Sequence, residues 1–259
     1  GYIYEKIEEQ AYCPKCEKFL QDRDIKLICP ECGEETKGDQ CDNCLHVPTT
    51  EELLEGKCIV CGSKLIKRNN KVLYLKLSAF QKEIEEHTKE VENTWRINAR
   101  NETWKYLKQG LKDRAVTRDL NWGIEIPLPG YEDKRMYVWI DAVLGYLTDT
   151  MKICEEKGMD WQDFWKEGKN NKIYMCHGKD NIVFHSIILN ALLLGQKENY
   201  HLVDTIVSAE YLNFNDQKFS KSKGIGMTAL EACELYDSDS IRYHLISNGP
   251  ERKDTNFTI

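Results

Sequence analysis

The sequence has no long apolar segment. Its 259 residues are 41% hydrophobic and 31% charged, and no stretch approaches the about 18 uninterrupted apolar residues of a membrane-spanning helix. The first residues, GYIYEKIEEQ, do not have the pattern of a secretory signal peptide. These absences exclude a membrane protein and predict an intracellular, cytoplasmic chain that is large enough for more than one domain. The strand pattern already under way at Gly1 indicates that further sequence precedes it.

An excess of positive charge is also missing. Lys and Arg number 36 against 43 Asp and Glu, which gives a formal net charge of -7. This balance argues against a nonspecific nucleic-acid-binding protein and leaves only local basic patches to meet polyanions. One such patch is NDQKFSKSKG, Asn215 to Gly224, where three lysines stand among serines before a glycine. A loop of this composition suits an anion, whose identity depends on the rest of the sequence.

Cysteine, in contrast, is abundant and regularly spaced. Eight of the 11 cysteines form four C-x-x-C pairs, which are in chain order Cys13/Cys16, Cys29/Cys32, Cys41/Cys44 and Cys58/Cys61. Two pairs of this kind can complete a tetrahedral site with four thiolate ligands, so four pairs predict two Zn2+ ions. Because no strand-helix pattern of a redox fold lies beside them, disulfides and redox motifs are the weaker interpretations.

The spacing leaves two ways to combine the pairs. The second and third pairs are separated by a short polar loop and are expected to share one ion, so that the first and fourth pairs form a site enclosing it. Sequential combination, first with second and third with fourth, is the alternative. The three remaining cysteines are expected to be small core residues rather than nucleophiles; they are Cys154, Cys176 and Cys233.

Strand and helix patterns alternate after the cysteine pairs. The expected elements are a strand over 71–77, a helix capped by Ser78, a helix over 94–110, a hairpin over 122–141 with 137–140 as a buried run, a helix over 142–157, a short Asp-capped helix in 160–168, a strand over 172–178, a helix over 180–195 and a strand over 201–209. This alternation predicts an α/β fold with a parallel sheet, in which ligands bind beyond the carboxyl ends of the strands. Three segments fall at such ends, namely those after YVW, after YMCHG and in the lysine loop.

Three motifs at these positions resemble methionyl-tRNA synthetase, a class I aminoacyl-tRNA synthetase. They are YVWIDAVLGYL, HGKDNIVFH and KFSKS, in that order and preceded by the four cysteine pairs. The likeness covers essentially the whole chain, and KFSKS is similar to the family's KMSKS signature with Phe219 in the Met place. The two-zinc arrangement resembles the archaeal-like branch. The resemblance implies a zinc-knuckle connective insertion with following helices over 1–110 and the second half of a Rossmann-like catalytic domain over 111–259.

The resemblance also implies an ATP site. Lys221, assisted by Lys218, would neutralise charge on the triphosphate as the amino-acid carboxylate attacks the α-phosphorus. Asp180 is expected to face the ribose hydroxyls, with Gly178 allowing close approach of the nucleotide, and an N-cap is the plain structural role of Asp180. The implied residues for ATP, which binds with Mg2+, are Gly178, Asp180, Lys218, Ser220, Lys221 and Ser222.

A methionine pocket is implied on the same grounds. Its residues would be Trp139, Ala142, Tyr146 and His185, with Val143 and Asn181 nearby. Aromatic walls suit a polarizable thioether, and a hydroxyl or ring nitrogen can orient groups around the sulfur without a charge. The family usually has Pro where this chain has Val143, which puts the selection of methionine in question.

Two regions of the family are not found in these 259 residues. No HxGH motif of the HIGH-bearing catalytic half occurs, and the anticodon-binding helical bundle would begin after TNFTI. The chain is therefore predicted to be part of a methionine–tRNA ligase, which uses methionine, ATP and tRNA(Met), and to have little activation activity by itself. The alternative is an inactive, synthetase-derived zinc protein that acts as a binding or partner module. Arg118 is assigned either a salt bridge with Asp119 or a neighbour, or a contact with the acceptor end of tRNA.

Overall fold

The computed structural model describes residues 1–38, 41, 44, 46, 48–196, 198–220 and 224–258. The strands are β1 (Ile3–Cys13), β2 (Lys18–Phe19), β3 (Ile25–Ile28), β4 (Glu35–Lys37), β5 (Lys57–Cys58), β6 (Ile66–Leu75), β7 (Arg114–Ala115), β8 (Thr117–Arg118), β9 (Arg135–Met136), β10 (Tyr174–Gly178), β11 (Thr205–Ala209), β12 (Leu212–Phe214), β13 (Gln217–Lys218) and β14 (Thr255–Phe257). The α-helices are α1 (Thr50–Leu54), α2 (Gln81–Val91), α3 (Ile97–Gln109), α4 (Val138–Ala142), α5 (Gly145–Lys157), α6 (Gln162–Trp165), α7 (Leu189–Leu194), α8 (Ala229–Leu235) and α9 (Ser238–Ser247). No helix in these described ranges is long and apolar enough to cross a membrane.

The chain forms two compact units, and each is built from two segments. The first unit is Gly1–Lys76 with Asp113–Asp141, and the second is Leu77–Lys112 with Ala142–Ile259. The domain boundary at residue 110 stays a prediction, while the compact units divide the chain at other points. Helices α2 and α3, which the sequence placed with the cysteine segment, belong to the second unit.

A long antiparallel ribbon of β1 and β6 is the frame of the first unit. The pairing runs from Ile3↔Leu75 to Tyr12↔Ile66, and β2 and β7 extend it to the order β2-β1-β6-β7. The strand predicted over 71–77 is present as β6. It begins earlier because residues 66–70 continue the pairing, and it ends at Leu75, before a 3-10 turn that starts at Leu77. The ribbon thus joins the central segment of the unit to the cysteine pairs at its far end.

The cysteine end of the first unit has a small apolar core. Strand β3 alternates buried and exposed residues, so that Ile25 and Leu27 point inward. Helix α1 begins with a capping box in which Thr49 and Glu52 satisfy each other's backbone N–H groups. The cluster comprises Ala11, Cys13, Leu20, Ile25, Leu27, Leu53, Cys58 and Leu65. A core of this size provides limited burial, so additional cross-links are expected to stabilise it.

The hairpin predicted over 122–141 is wrong in its second half. Residues 137–140 form no strand, and Val138–Ala142 is helix α4. Val138 is 62% exposed and only Ile140 of this helix is buried. A short apolar run supports a buried strand and a helical turn equally well, because periodicity cannot separate them over four residues. The strand that does form is β9, which pairs with β8 through Thr117↔Met136.

The predicted parallel pairing is confirmed in the second unit. Strands β10 and β11 run parallel, from Tyr174↔Thr205 to Gly178↔Ala209. The helix predicted between them over 180–195 has three parts, which are a 3-10 turn at Lys179–Asn181, a π-helical turn at Phe184–Ile188 and α7. Helix α5 starts at Gly145, later than predicted, and ends as predicted before Gly158, whose φ of +65° is a left-handed C-cap.

The helix predicted after Ser78 and the helix over 94–110 are also present. Helix α2 starts at Gln81, because residues Leu77–Phe80 form a 3-10 turn first. The predicted cap at Ser78 is wrong, since Ser78 lies within this turn and Phe80 is at the N-cap position of α2. The segment before α3 closes one edge of β11: Trp95 Nε1 donates to the Asp204 carbonyl at 2.8 Å and Arg96 N donates to the Ile206 carbonyl at 3.1 Å. Asn98 Nδ2 adds a bond to the Ser208 carbonyl at 3.3 Å.

A tight hairpin leads from β12 to β13. Its two central residues, Asn215 and Asp216, have φ of 47° and 60°, which are the positive values of a type I′ turn. Strand β12 also pairs in parallel with β14. Asp216 and Asn256 fix this arrangement, because Asn256 Oδ1 accepts from Asp216 N at 2.9 Å and Asn256 Nδ2 donates to Asp216 Oδ1 at 2.8 Å.

Candidate active site and metal centres

The four cysteine pairs form two compact clusters of sulfur atoms in the first unit. In each cluster, all four Sγ atoms lie within 4.8 Å of one another. The clusters combine the pairs in nested order and not sequentially: they are Cys13, Cys16, Cys58 and Cys61, and Cys29, Cys32, Cys41 and Cys44. Four thiolates at such distances can hold one tetrahedral metal ion without an open coordination position. The prediction that the first pair combines with the fourth, and the second with the third, is therefore confirmed.

In three of the cysteine pairs, the described residue after the second cysteine has a left-handed backbone conformation. Gly33 and Gly62 have φ of +77° and +70°, and their N–H groups donate to the carbonyls of Cys29 and Cys58 at 2.9 and 2.8 Å. Glu17, which follows Cys16, takes a similar φ of 52°. Because a side chain disfavours this left-handed conformation, Glu17 is the strained member of the set.

Substitutions at these two positions are expected to change stability in opposite directions. Nothing lies within 4 Å of a Cβ added to Gly62, so Gly62→Ala isolates the backbone cost and should destabilise the first unit by about 1 kcal/mol. Glu17→Gly should stabilise it by up to about 1 kcal/mol. The net gain is reduced because glycine also raises the conformational entropy of the unfolded chain. Chemical denaturation at fixed metal concentration measures both, and a loss of stability in Glu17→Gly would contradict this account.

The cysteines outside the clusters are not all core residues. Cys154 is buried, as predicted, but Cys176 and Cys233 are exposed. The two exposed cysteines lie on β10 and α8. The pattern of apolar residues in these elements did not show which positions face the solvent and which face the core.

The carboxyl end of β10 carries two of the residues predicted for ATP. Gly178 ends the strand, and a Cβ added there would lie 2.7 Å from Asp180 Oδ1. Glycine therefore permits the tight turn that brings the Asp180 carboxylate back over the strand end. Asp180 is exposed and sits within the 3-10 turn whose N-cap position is Gly178, so the expected N-cap role for Asp180 is wrong. Its carboxylate is left for other contacts.

Tyr146 and His185, both predicted for the methionine pocket, are in contact. The Tyr146 hydroxyl lies 2.9 Å from His185 Nε2, and His185 Nδ1 lies 2.8 Å from the Asn181 carbonyl oxygen. Burial lowers the pKa of His185, which favours the neutral ring. A further histidine, His177, stacks on His185 with ring centroids 4.4 Å apart. Sequence reasoning missed His177, although a histidine directly before the Gly-Lys-Asp turn was a signal.

A cavity of about 560 Å³ lies beside these rings in the second unit. Its lining comes from α5, α6, residues 170–173, β10 and the π-helical turn. It includes the rings of Tyr146, Phe164, Trp165, His177 and His185 together with the charged side chains of Asp163 and Lys172. Aromatic walls with a few hydrogen-bonding groups are typical of small-molecule sites. Ala142 and Val143 precede α5 in the same unit, and Val143 is 1% exposed, whereas Trp139 belongs to the first unit.

A cationic region adjoins the strand ends. Lys179 bonds to Glu210 and Asp254, each at 2.7 Å, and these two carboxylates raise its pKa. The Lys179 ammonium also lies 4.3 Å from the Tyr211 ring centroid, and that of Lys218 lies 4.6 Å from it. Lys218 is exposed on β13. Of these two lysines, Lys218 keeps the exposure that an incoming anion requires.

The lysine loop is closed by a backbone pair. Ser220 N donates to the Ile225 carbonyl at 2.8 Å, and Ile225 N donates to the Ser220 carbonyl at 3.0 Å. Phe219 contacts Phe214 with centroids 5.6 Å apart, so the residue in the Met place of the signature has an apolar contact. Lys221 and Ser222, predicted for ATP, lie outside the described residues.

Arg118 has a structural role in the first unit. Its guanidinium lies 3.9 Å from the Tyr137 ring centroid and donates to the carbonyls of Ala115 and Thr117 at 3.2 and 2.8 Å. Asp119, the suggested partner, forms its ion pair with Lys134 instead. The contact with tRNA stays a prediction.

Comparisons with known proteins all indicate the same family. The model of the family described as tRNA synthetases class I (M) matches residues 1–259. Methionine--tRNA ligase 1 of Alkaliphilus oremlandii (strain OhILAs) is 47% identical over 259 residues, covering 99% of this chain and 47% of the relative. Methionine--tRNA ligase of Bacillus mycoides (strain KBAB4) is 48% identical over 260 residues, covering 100% and 47%. The chain thus spans about half the length of these curated relatives.

A solved structure shows the likeness at the level of the fold. Mycobacterium tuberculosis methionyl-tRNA synthetase in complex with methionyl-adenylate superposes with a TM-score of 0.65 at 21% identity, covering 99% of this chain and 44% of that chain. The free form of the same organism's enzyme gives a TM-score of 0.60 at 20% identity, covering 98% and 43%.

Proposed function

The chain belongs to the class I (M) family of tRNA synthetases, and on that premise we propose that it is the metal-bearing insertion and second catalytic half of a methionine–tRNA ligase. The reaction is ATP-dependent activation of methionine to methionyl-adenylate and transfer to tRNA(Met), in the cytoplasm. One observation carries the proposal: the Gly178–Asp180 turn and the Tyr146–His185 pair meet at the carboxyl end of the parallel strand β10. Ligands of parallel sheets bind at this end.

We assign a structural Zn2+ ion to each cysteine cluster. Four sulfur ligands and the absence of a weaker donor within each described set favour zinc in a closed tetrahedral site. Closed sites contribute folding energy and no chemistry, so these ions would shape the insertion and leave the reaction to the second unit.

The proposed ATP site uses the strand end and the lysine loop. Asp180 accepts hydrogen bonds from the ribose hydroxyls, and Gly178 lets the nucleotide approach the backbone. Lys218, exposed above Tyr211, contacts the phosphates together with Lys221, Ser220 and Ser222. The magnesium ion bound with ATP supplies additional charge neutralisation at the phosphates. Positioning and electrostatic stabilisation are the main requirements of this chemistry, and both can be supplied by such residues.

The proposed methionine pocket is built around the Tyr146–His185 pair of the second unit, with Ala142 as a further residue. Trp139, in the first unit, stays a prediction from the sequence. Burial keeps His185 from carrying a full charge at neutral pH. The uncharged rings of this pair can contact a thioether side chain without a counter-charge, which suits methionine.

The two edges of the β10–β11 sheet differ. The outer edge of β11 is covered by hydrogen bonds from neighbouring residues, whereas the outer edge of β10 is the position where the remaining catalytic half would attach. On the side of β11 that faces away from β10, Arg96 and Asn98 donate to the carbonyls of Ile206 and Ser208, and Trp95 donates to the Asp204 carbonyl just before the strand. Within the described residues, no strand pairs with the outer edge of β10. Parallel sheets are seldom left with so few strands. We propose that a parallel strand from the part of the family that this chain does not span pairs with β10.

An ATP–pyrophosphate exchange assay tests the function. The chain alone is expected to show no methionine-dependent exchange, and the chain combined with the remaining segments of the Alkaliphilus oremlandii relative is expected to show it. In that assembly Lys221→Ala should lower the exchange rate about 10²- to 10³-fold, with a smaller change in methionine affinity, because the lysine acts mainly in the transition state.

The matched control is Lys82→Ala, since Lys82 is an exposed lysine of α2 with 82% of its side chain accessible; it should leave the rate unchanged. An assembly that binds its complement but never activates methionine would contradict the proposal and favour the alternative of a noncatalytic zinc module. Equal losses of rate and of methionine affinity in Lys221→Ala would contradict the role of that lysine.

A further inference from the structure

His177 lies against the proposed amino-acid pocket but has no role in the function proposed above. Its imidazole stacks on that of His185, with centroids 4.4 Å apart and ring planes at 23°. His177 is on β10, and His185 is on the π-helical turn Phe184–Ile188. The stack therefore connects the strand end, which carries Gly178 and Asp180, with the element that carries the pocket.

Backbone carbonyls determine which ring nitrogens carry hydrogen. His177 Nδ1 lies 2.9 Å from the Gly178 oxygen, and His185 Nδ1 lies 2.8 Å from the Asn181 oxygen. Because a carbonyl oxygen can only accept, each Nδ1 is the donor. In a neutral ring Nε2 is then an acceptor, so the Tyr146 hydroxyl, 2.9 Å from His185 Nε2, donates to it.

Protonation of His185 would reverse that bond. Its Nε2 would become a donor to the Tyr146 oxygen, and the tyrosine hydrogen would have to turn elsewhere. The stacked position of His177 opposes this change in two ways: its ring excludes water from one face of His185, and any charge on it would repel a charge on its neighbour. Burial lowers the pKa of both rings, and this effect is larger than that of the two carbonyl bonds, which raise it. The negative charge of Asp180 also raises the pKa of His177 and so offsets part of the lowering.

We propose that His177 is a positioning residue: by stacking on His185 it holds that ring in the neutral Nδ1–H form and keeps the Tyr146 hydroxyl directed at it. The identity of the pocket rests on the proposed function, but the state of His185 does not. His177 Nε2 is a buried atom without a hydrogen-bond partner among the described residues, and His177 lines the same cavity.

Nitrogen NMR of the ¹⁵N-labelled 259-residue chain tests the proposal without any substrate. Two-bond ¹H–¹⁵N spectra give the tautomer and pKa of each histidine. We expect the Nδ1–H tautomer for His185, retained in His177→Phe, which keeps a stacked ring. In His177→Ala, the pKa of His185 should rise towards its ordinary value, because water reaches the exposed face.

Two histidines of the second unit are controls. His87→Ala removes a ring that bonds the Val203 carbonyl at 2.8 Å but does not stack on His185, and it should leave the His185 signals unchanged. His201, held by Asp204 at 2.7 Å and Glu167 at 3.2 Å, is an internal reference, since unchanged His201 signals show that each variant is folded.

The proposal would be overturned if His185 had the same tautomer and pKa in His177→Ala as in the parent chain, or if His177→Phe changed them as much as His177→Ala does. In the assembly used for pyrophosphate exchange, His177→Ala should raise KM for methionine about tenfold, the loss of one orienting hydrogen bond, with little change in kcat. The KM measurement depends on the proposed function. The NMR measurement does not, so it tests the role of His177 by itself.

Discussion

Cys58→Ser is expected to remove one of two bound metal ions and to unfold the cysteine end of the first unit. Cys58 is 1% exposed, belongs to the cluster with Cys13, Cys16 and Cys61, and is also part of the small apolar core. Structural zinc contributes about 10–16 kcal/mol of apparent binding free energy in small domains, far more than this core can replace. We therefore expect a loss of more than about 4 kcal/mol, the limit of ordinary single substitutions.

Metal analysis and hydrogen exchange provide the readouts, and Cys154→Ser is the matched control. Cys154 is similarly buried, at 3% exposed, but lies on α5 outside both clusters. The control should keep about two metal ions and protect the amides of β3 and β5 as the parent chain does. Two ions in Cys58→Ser, or equal losses in both variants, would show that the clusters do not hold the fold through metal.

The two cysteine clusters were the most predictable feature because their signal is local. Each C-x-x-C pair specifies its own turn, and the short loop between Cys32 and Cys41 favoured the nested grouping that the clusters adopt. The spacing could not exclude the sequential grouping, since that choice depends on how β3, β4 and β5 pair. Long-range strand pairing is weakly encoded in any one segment.

The candidate site in the second unit was predictable to a lesser degree. The strand ending at Gly178 and the turn carrying Asp180 follow from the strand pattern of KIYMCHG and the Gly-Lys-Asp sequence. Helix α4 was mistaken for a strand because its short apolar run has no distinguishing period. His177 was missed because a single histidine carries no information on its stacking partner, which lies eight positions later on a different element.

The closed edge of the parallel sheet could not be predicted either. The Arg96 backbone and the Asn98 amide bond to its carbonyls, and the Trp95 indole bonds to the Asp204 carbonyl just before β11. None of them has a periodic pattern, and each acts only because the start of α3 lies along β11. Tertiary contacts of this kind determine which edge remains available for a partner strand.

Lys134→Met should lower the free energy of unfolding of the first unit by about 3–5 kcal/mol, the range for breaking one partner of a buried ion pair. Lys134 is 4% exposed and pairs with Asp119, whose side chain is 14% exposed. It also donates to Asn70 Oδ1 at 2.5 Å, and Asn70 Nδ2 donates to Gln10 on β1 at 2.7 Å and to Asp119 at 2.9 Å. Methionine would fill similar space and leave the Asp119 carboxylate without its cation.

The matched control for this pair is Lys169→Met. Lys169 bonds Asp163 at 2.7 Å, but both side chains are substantially exposed, so this surface pair should contribute less than about 1 kcal/mol. Hydrogen exchange of the β1 and β6 amides measures the effect in the first unit. Because Gln10 and Asn70 join the two strands of the ribbon that leads to the cysteine clusters, faster exchange should extend along both strands in Lys134→Met. Exchange that stays unchanged there would show that the ribbon is held by its backbone pairing alone and does not depend on the buried charge.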